Sequence, residues 1–295
     1  MLEQIKQTNL ELERKDGVKR HFRYDWQEVA RYNALYRAFV EAERIRLGES
    51  HPLFRTQYAL LPIKGGGGFL SRQQIEQLRG THVRLHRRSA TASIYVAGID
   101  LAGESEVVEA EALTRPGRDA TVITIAEVKT GTGSKYGISQ PVIEVVEHYC
   151  WVGRKHPLLL NQMVDIVKTL WGCSRIVVDA TGIGEPVASF LQQALGGRVI
   201  PFKFSQKTKS ELGFELLSAI NSGRLKLYRQ DGSEEYRQLL LELERAKGVY
   251  RPNQTLNFFV DPAEGHDDYL MSLALVVEAA RNYSPRKARG TPPAE

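Results

Sequence analysis

Acidic residues lie at three places in the chain where predicted secondary-structure elements begin or end. Asp100 ends the apolar segment IYVAGID, and Asp179 ends the apolar segment RIVVD. His266, Asp267 and Asp268 stand side by side at the start of an apolar segment with helical character. Acids in the first turn of a helix have an ordinary explanation, because the exposed N–H groups there carry partial positive charge. That explanation does not cover single acids at the ends of two apolar strands.

The chemistry available to these residues depends on whether they converge. If the strands ending in Asp100 and Asp179 are neighbours in one sheet, both carboxylates lie near the same edge, and the helix can add Asp268. Such a cluster of hard oxygen ligands suits Mg²⁺ or Mn²⁺ rather than zinc or copper. Two ions about 4 Å apart can activate a water and stabilise the leaving oxygen of a phosphodiester. Without a cation the carboxylates would repel one another, which argues against an accidental cluster. Each acid taken singly can still be a turn or capping residue.

The predicted elements define the fold class as α/β. Three β-rich segments follow one another from residue 91, and helices and strands then alternate. This order predicts a mixed sheet with helices packed on both faces. The predicted strands are 91–103, 120–128, 141–152, 175–182, 199–204 and 225–228, with a hairpin over 249–260 turning at Pro252 and Asn253. The predicted regions are a mainly helical and linker segment over 1–90, including a helix over 26–48, the α/β domain over 91–283, and a disordered basic tail over 284–295.

Composition excludes several classes of protein. The chain has 295 residues, 42% hydrophobic and 25% charged, which is typical of a globular protein. It contains no apolar run near the roughly 20 residues that span a bilayer and no apolar core of a signal peptide, so we expect a cytoplasmic protein. The two cysteines, Cys150 and Cys173, lack the spacing of a zinc site and are expected to be free thiols.

Charge is distributed unevenly along the chain. Residues 1–90 carry 17 Lys and Arg against 10 Asp and Glu, whereas residues 91–295 carry 23 against 25. A basic region beside a slightly acidic remainder favours a polyanionic partner contacted by one part of the molecule.

The order and spacing of the motifs resemble the nuclease domain of terminase large subunits of tailed bacteriophages. The motifs are GID at Asp100, IVVDATGIG at Asp179 and GHDDYLMSLAL at Asp268, and the resemblance covers about residues 91–281. It implies a ribonuclease H-like fold and an endonuclease that cuts double-stranded viral DNA concatemers during genome packaging. By position, Asp100, Asp179 and Asp268 would be the metal ligands, for Mg²⁺ or Mn²⁺ and with two ions expected. Asp267 would ligate or orient, and His266 would position water or the scissile phosphate.

A nuclease needs positive charge beside its acids, and the sequence offers two groups. Lys203, Lys207 and Lys209 lie at or near the start of a predicted helix whose N–H groups can also bind phosphate. Arg87 and Arg88 lie in the RLHRR run before the first strand. Contacts of this kind position DNA without reading its sequence. Asp119, before the second strand, is a weaker candidate for the site.

The chain departs from the family pattern in two respects. No GxxxxGK[ST] motif occurs, so we expect no ATPase activity from this chain alone and a separate packaging ATPase as partner. A small terminase subunit and a portal are further partners that the resemblance implies. Met271 stands where many relatives carry another Asp, which puts a fourth ligand there in doubt.

Other functions remain open at this stage. Within the nucleases, a resolvase or transposase has the same superfamily fold. An actin- or hexokinase-like ATPase also begins with a GID-like strand and would use DATGIG for phosphate, but it would not need acids at the last helix. A dinucleotide-binding protein is disfavoured because TGIGEPV is not GxGxxG. A non-catalytic DNA-binding or packaging subunit would use the basic N-terminal part as its working surface.

Overall fold

The computed structural model forms two compact units, residues 1–63 and 64–295. The residues it describes are 2–49, 54–61, 67–89, 93–101, 120–129, 141–154, 156–182, 184–251, 253 and 255–281. The predicted division at residue 90 differs from this boundary. Residues 67–89 belong to the second unit because their backbone pairs with it: Leu227 N donates to Leu78 O at 2.7 Å, and Gly80 N donates to Leu227 O at 2.9 Å.

The first unit is mainly helical. It contains α1 (Leu2–Asp16), α2 (Trp26–Ala30), α3 (Ala34–Leu47) and a π-helical turn, Phe54–Tyr58. The helix predicted over 26–48 is interrupted because Asn33 caps α3, its side chain accepting a hydrogen bond from Tyr36 N at 2.9 Å. A small core forms where Val40 and Phe54 pack together.

The second unit contains the remaining elements of the described chain. Its helices are α4 (Arg72–Gln77), α5 (His156–Val164), α6 (Gly184–Leu195), α7 (Gln206–Asn221), α8 (Glu234–Arg245) and α9 (Asp268–Ala280). Its strands are β1 (Gly67–Gly68), β2 (Ile94–Asp100), β3 (Ala120–Lys129), β4 (Val142–Val152), β5 (Arg175–Asp179), β6 (Val199–Phe202), β7 (Leu225–Lys226), β8 (Lys247–Tyr250) and β9 (Leu256–Phe259). A π-helical segment, Asp165–Leu170, continues α5, and a 3-10 turn, Gly196–Arg198, follows α6.

A six-stranded mixed sheet with the order β6-β5-β2-β3-β4-β7 is the centre of this unit. β2, β3 and β4 pair antiparallel in series, whereas β5 and β6 lie parallel to β2 on its other side. Residues from α7, α8 and α9 pack against one face, and residues from α5 and α6 pack against the other. The predicted mixed sheet, with three strands in series and helices on both faces, is confirmed.

The predicted hairpin over 249–260 forms β8 and β9, which pair antiparallel. They join β1 in a separate three-stranded sheet. Pro252, one of the two predicted turn residues, lies outside the described residues, as does the predicted tail over 284–295.

Helix α9 lies directly on the centre of the large sheet. A side chain at Gly98 in β2 would overlap Ser272 O and Val276 N of α9, so glycine is required there. Ser272 Oγ lies 3.0 Å from Gly98 O and 2.7 Å from Thr124 Oγ1 of β3. These contacts fix the position of α9 relative to the ends of β2 and β3.

Within the part of the chain that the structure describes, none of the helices combines the length and the apolar character needed to cross a membrane.

Candidate active site

The two strand-end acids lie at the same edge of the sheet. β2 and β5 run parallel, with Val96 opposite Arg175 and Ile99 opposite Val178. The next residue in each strand is Asp100 and Asp179, respectively. Because parallel strands end at the same edge, the two acids are neighbours at the carboxyl ends of adjacent strands.

The start of α9 brings a third acid to this edge. Asp268 is the first residue of the helix and is only 8% exposed. Its Oδ2 accepts a hydrogen bond from the N–H of Ala120, the first residue of β3, at 2.9 Å. The beginning of β3 pairs with the end of β2, where Val122 stands opposite Asp100. The hydrogen bond therefore holds Asp268 at the edge where Asp100 ends its strand.

The acids interact electrostatically. Burial raises the pKa of Asp100 well above its usual value, and the charges of Asp268, Asp179 and Asp267 raise it further. Burial also raises the pKa of Asp179, although hydrogen bonds from Thr181 oppose the shift. One of these is donated by Thr181 N to Asp179 Oδ1 at 2.8 Å. The edge thus concentrates negative charge that a cation would neutralise.

The donor set fits a divalent cation in its chemistry. Carboxylate oxygens are the preferred ligands of Mg²⁺ and Mn²⁺, and like charges this close are stabilised by a shared cation. Among the described residues, however, no group of three His, Cys, Asp or Glu side chains already surrounds a single point at metal-binding geometry. Asp100, Asp179 and Asp268 are the residues at this edge that would hold a cation.

Sequence reasoning missed a fourth acid near the site. Glu242 of α8 is 8% exposed, and its Oε2 accepts a hydrogen bond from the N–H of Leu270 in the first turn of α9 at 2.9 Å. Burial raises the pKa of Glu242 to about 9, and the nearby Asp268 and Asp267 add to the shift. The signal in the sequence is that Glu242 falls on the apolar side of α8, beside Leu239 and Leu243.

His266 and Asp268 border a cleft of about 410 Å³. Glu242, Cys150 and Tyr269 also line it. Asp267 is the N-cap residue of α9, and its side chain makes no capping hydrogen bond. The three predicted residues His266, Asp267 and Asp268 therefore lie beside a cleft that opens at the protein surface.

The three predicted lysines lie at the acid edge, but in different surroundings. Lys203 follows β6 directly and its Nζ donates to Glu185 Oε1 at 2.9 Å, in an exposed ion pair. Lys207 is exposed in the first turn of α7. Lys209 is half-buried, with its Nζ 5.5 Å from the ring centre of Phe258, and its charge lowers the pKa of Asp179. The charge of Lys209 therefore acts on Asp179.

Arg87 and Arg88 are not brought to the acids. They line a separate cleft of about 690 Å³ together with Asp165. Their loop meets the beginning of β2, where Ser89 N donates to Tyr95 Oη at 3.1 Å. Seven residues of β2 extend about 23 Å at the usual rise per residue, so this cleft lies at the opposite edge of the sheet. Asp119, the weaker candidate, lies outside the described residues.

Comparison with known proteins identifies the family. A family model described as the terminase RNaseH-like domain matches residues 110–278, more than half of the chain, in a range that includes Asp179 and Asp268 and begins after Asp100. No curated protein matches the chain.

Similar solved structures come from bacteriophages. The large terminase nuclease from thermophilic phage G20c with bound magnesium has a TM-score of 0.50 and 18% identity, covering 74% of this chain and 98% of that chain. The same nuclease with bound cobalt has a TM-score of 0.51, 18% identity and the same coverage of 74% and 98%. The HK97 bacteriophage large terminase has a TM-score of 0.47 and 14% identity, covering 83% of this chain and 50% of that chain. The G20c structures share the fold of this chain, and with the family match over 110–278 it follows that the chain belongs to the ribonuclease H-like nuclease domain family of phage terminase large subunits.

Proposed function

We propose that this chain is a divalent-metal-dependent endonuclease that hydrolyses phosphodiester bonds of double-stranded DNA and cuts viral concatemers during genome packaging. The observation that carries the proposal is the position of Asp100, Asp179 and Asp268 at one edge of the sheet, where the charges of Asp268 and Asp179 raise the pKa of Asp100. Family membership supports the same class of activity, and the G20c relative was solved with magnesium and with cobalt.

Each residue of the site has a defined task in this proposal. Asp100, Asp179 and Asp268 supply oxygen ligands for Mg²⁺ or Mn²⁺, with two ions proposed. Bound cations would supply Lewis-acid stabilisation of the charge that develops on the attacked phosphate. Backbone N–H groups of Ala120 and Thr181 hold Asp268 and Asp179 in place. These two hydrogen bonds restrict the carboxylates and so reduce the rearrangement that binding requires.

The residues beside the acids would orient the DNA and the water. His266 borders the cleft next to Asp268 and is proposed to position the water or the scissile phosphate. Lys203, Lys207 and Lys209, at the acid edge, are proposed to bind backbone phosphates. Such contacts give affinity that depends on salt and carries little sequence selectivity. Arg87 and Arg88 would contact only a different stretch of the DNA, because they lie about the length of strand β2 away from the acids. A packaging ATPase, a small terminase subunit and a portal are proposed as partners.

Plasmid cleavage tests the proposal. Supercoiled plasmid is incubated with the wild-type chain in Mg²⁺, Mn²⁺ or EDTA, and with the variant Asp179→Asn. Asp165→Asn is the matched control, because Asp165 is an exposed acid at the opposite edge of the sheet. We expect nicking or linearisation that EDTA and Asp179→Asn abolish and that Asp165→Asn leaves unchanged. DNA binding without cleavage in any metal would instead favour a non-catalytic packaging subunit.

A further inference from the structure

The first turn of α9 is capped by a residue from another helix. Asp267 occupies the N-cap position, and its carbonyl accepts the first hydrogen bond of the helix from Met271 N at 2.8 Å. An Asp at this position ordinarily uses its side chain to accept from the second or third N–H of the helix. Here Asp267 makes no such bond. The third N–H, that of Leu270, is instead donated to Glu242 Oε2.

This capping hydrogen bond is buried, so its loss would destabilise the start of α9. Glu242 is 8% exposed, and Leu270 is fully buried. A buried N–H without an acceptor destabilises its surroundings far more than an exposed one, because water cannot replace the lost partner. The hydrogen bond to Glu242 therefore fixes the first turn of α9, the turn that begins with Asp268.

We infer that Glu242 is a positioning residue of the nuclease site, which caps α9 from α8 so that the acids at the helix start are directed to the strand ends rather than used for capping. The inference rests on the proposed function in one respect, namely that Asp268 binds a cation. Glu242 itself acts through the backbone of α9. Two hydrogen bonds then orient Asp268: Glu242 holds the helix turn, and Ala120 N–H holds the carboxylate.

Two substitutions separate the hydrogen bond from the charge. Glu242→Gln keeps a carbonyl oxygen on a side chain of nearly the same length and removes the ionisable carboxyl group. Glu242→Met keeps the length and removes the acceptor. Leu239→Ala is the control, because Leu239 is a fully buried residue one turn earlier on α8. It weakens the core without removing the acceptor for Leu270.

Two readouts are measured on the full chain: amide hydrogen exchange at Leu270, and the affinity for Mn²⁺ by calorimetry without DNA. Glu242→Met is expected to speed exchange at Leu270 by about tenfold, in line with the loss of a buried cap. It is also expected to weaken Mn²⁺ binding, whereas Glu242→Gln stays near wild type in both. Leu239→Ala is expected to lower the melting temperature and to leave Mn²⁺ affinity unchanged.

Several results would overturn the inference. Glu242→Met with wild-type Mn²⁺ affinity would leave Glu242 a purely structural residue, and Glu242→Gln as impaired as Glu242→Met would assign the effect to charge. If Glu242→Met does not fold, Glu242→Gln still decides, since loss of Leu270 protection in that variant contradicts capping by the side-chain oxygen. Failure of the proposed function is recognised separately, because wild type would then bind no Mn²⁺ and cut no plasmid while Leu270 exchange still reports on the cap.

Discussion

Replacing Asp100 by Asn should stabilise the metal-free protein while it removes nuclease activity. Asp100 is buried, and its pKa is raised by burial and by the charges of Asp268, Asp179 and Asp267. The side chain is therefore held against electrostatic repulsion that Asn would not experience. Acids clustered to bind a cation repel one another when the cation is absent, and this repulsion lowers the stability of the metal-free protein.

The expected magnitude follows from the register of the sheet. Asp100 and Asp179 follow paired residues on adjacent strands, so their charges are about 5–8 Å apart given the usual strand spacing. At an effective dielectric constant near 20, two full charges at that separation repel by about 2–3 kcal/mol. Partial protonation of Asp100 reduces this value, and we expect a gain of about 1–3 kcal/mol. For a unit of this size the melting temperature rises by about 2–4 °C per kcal/mol.

The effect has a defined pH dependence. A carboxyl group whose pKa is higher in the folded than in the unfolded chain holds its proton longer when folded. Stability therefore falls as pH rises from the unfolded value, 3.8 for Asp100, through the raised folded value. Asp100→Asn does not lose stability in this way. The difference in free energy of unfolding between the variant and wild type should therefore be small near pH 4 and should grow towards pH 9.

Thermal unfolding in EDTA at pH 5, 7 and 9 measures this difference, with Asp165→Asn as the exposed control. Addition of Mn²⁺ should stabilise wild type more than Asp100→Asn and reduce or reverse the gap. An Asn variant at pH 9 in EDTA that melts at or below the wild-type temperature would refute the electrostatic reasoning.

Three further predictions concern the surroundings of the site. Lys209→Ala should slow plasmid cleavage by about tenfold or more, and Lys207→Ala by much less, because the charge of Lys209 acts on Asp179; equal effects in a cleavage time course would contradict this. Gly98→Ala should lower the free energy of unfolding by about 3 kcal/mol or more, since the added Cβ would overlap the backbone of α9, whereas Gly197→Ala has open space and should be neutral in urea unfolding. Burial and the charge of Arg84 lower the pKa of His148 to about 3. The contribution of neutral His148 to the free energy of unfolding is therefore complete above the usual histidine pKa of 6.5 and is lost as pH falls towards 3. His148→Gln should flatten the fall of unfolding free energy between pH 6.5 and 4, and an unchanged slope would show that His148 is not responsible.

The acids at strand ends were predictable from sequence because a strand has a direction. An apolar strand that ends in a single carboxylate places it at one edge, and the crossover from β4 through α5 to β5 makes β5 a parallel neighbour of β2. The sequence therefore placed Asp100 and Asp179 at strand ends, whereas the adjacency of the two strands was a condition that the structure supplies. The mixed sheet followed from the same pattern, because β2, β3 and β4 appear in series before the helices begin to alternate.

The direction of the strands also separates the basic residues into two groups. Lys203 directly follows β6, so it lies at the edge where the parallel strands end. Arg88 precedes β2, so it lies at the opposite edge, about one strand length from Asp100. The sequence contained this information, but proximity along the chain to the first strand suggested a common site.

Glu242 was harder to predict, because acidic residues in an amphipathic helix usually face water. Its position among Tyr236, Leu239 and Leu243 is the only local sign of burial. Which N–H it accepts from depends on how α8 packs against α9, and this tertiary contact has no sequence motif. The break between α2 and α3 had a local signal in Asn33, a good N-cap residue, that helical spacing alone overlooked.

We propose that Asp100, Asp179 and Asp268 jointly hold a divalent cation. Anomalous diffraction from crystals of the full chain soaked in Mn²⁺ would locate that cation. We expect a peak with carboxylate oxygens of all three residues about 2.0–2.3 Å away, absent from crystals of Asp179→Asn. A peak that involves other acids, or none at this edge in crystals that bind Mn²⁺ elsewhere, would contradict it.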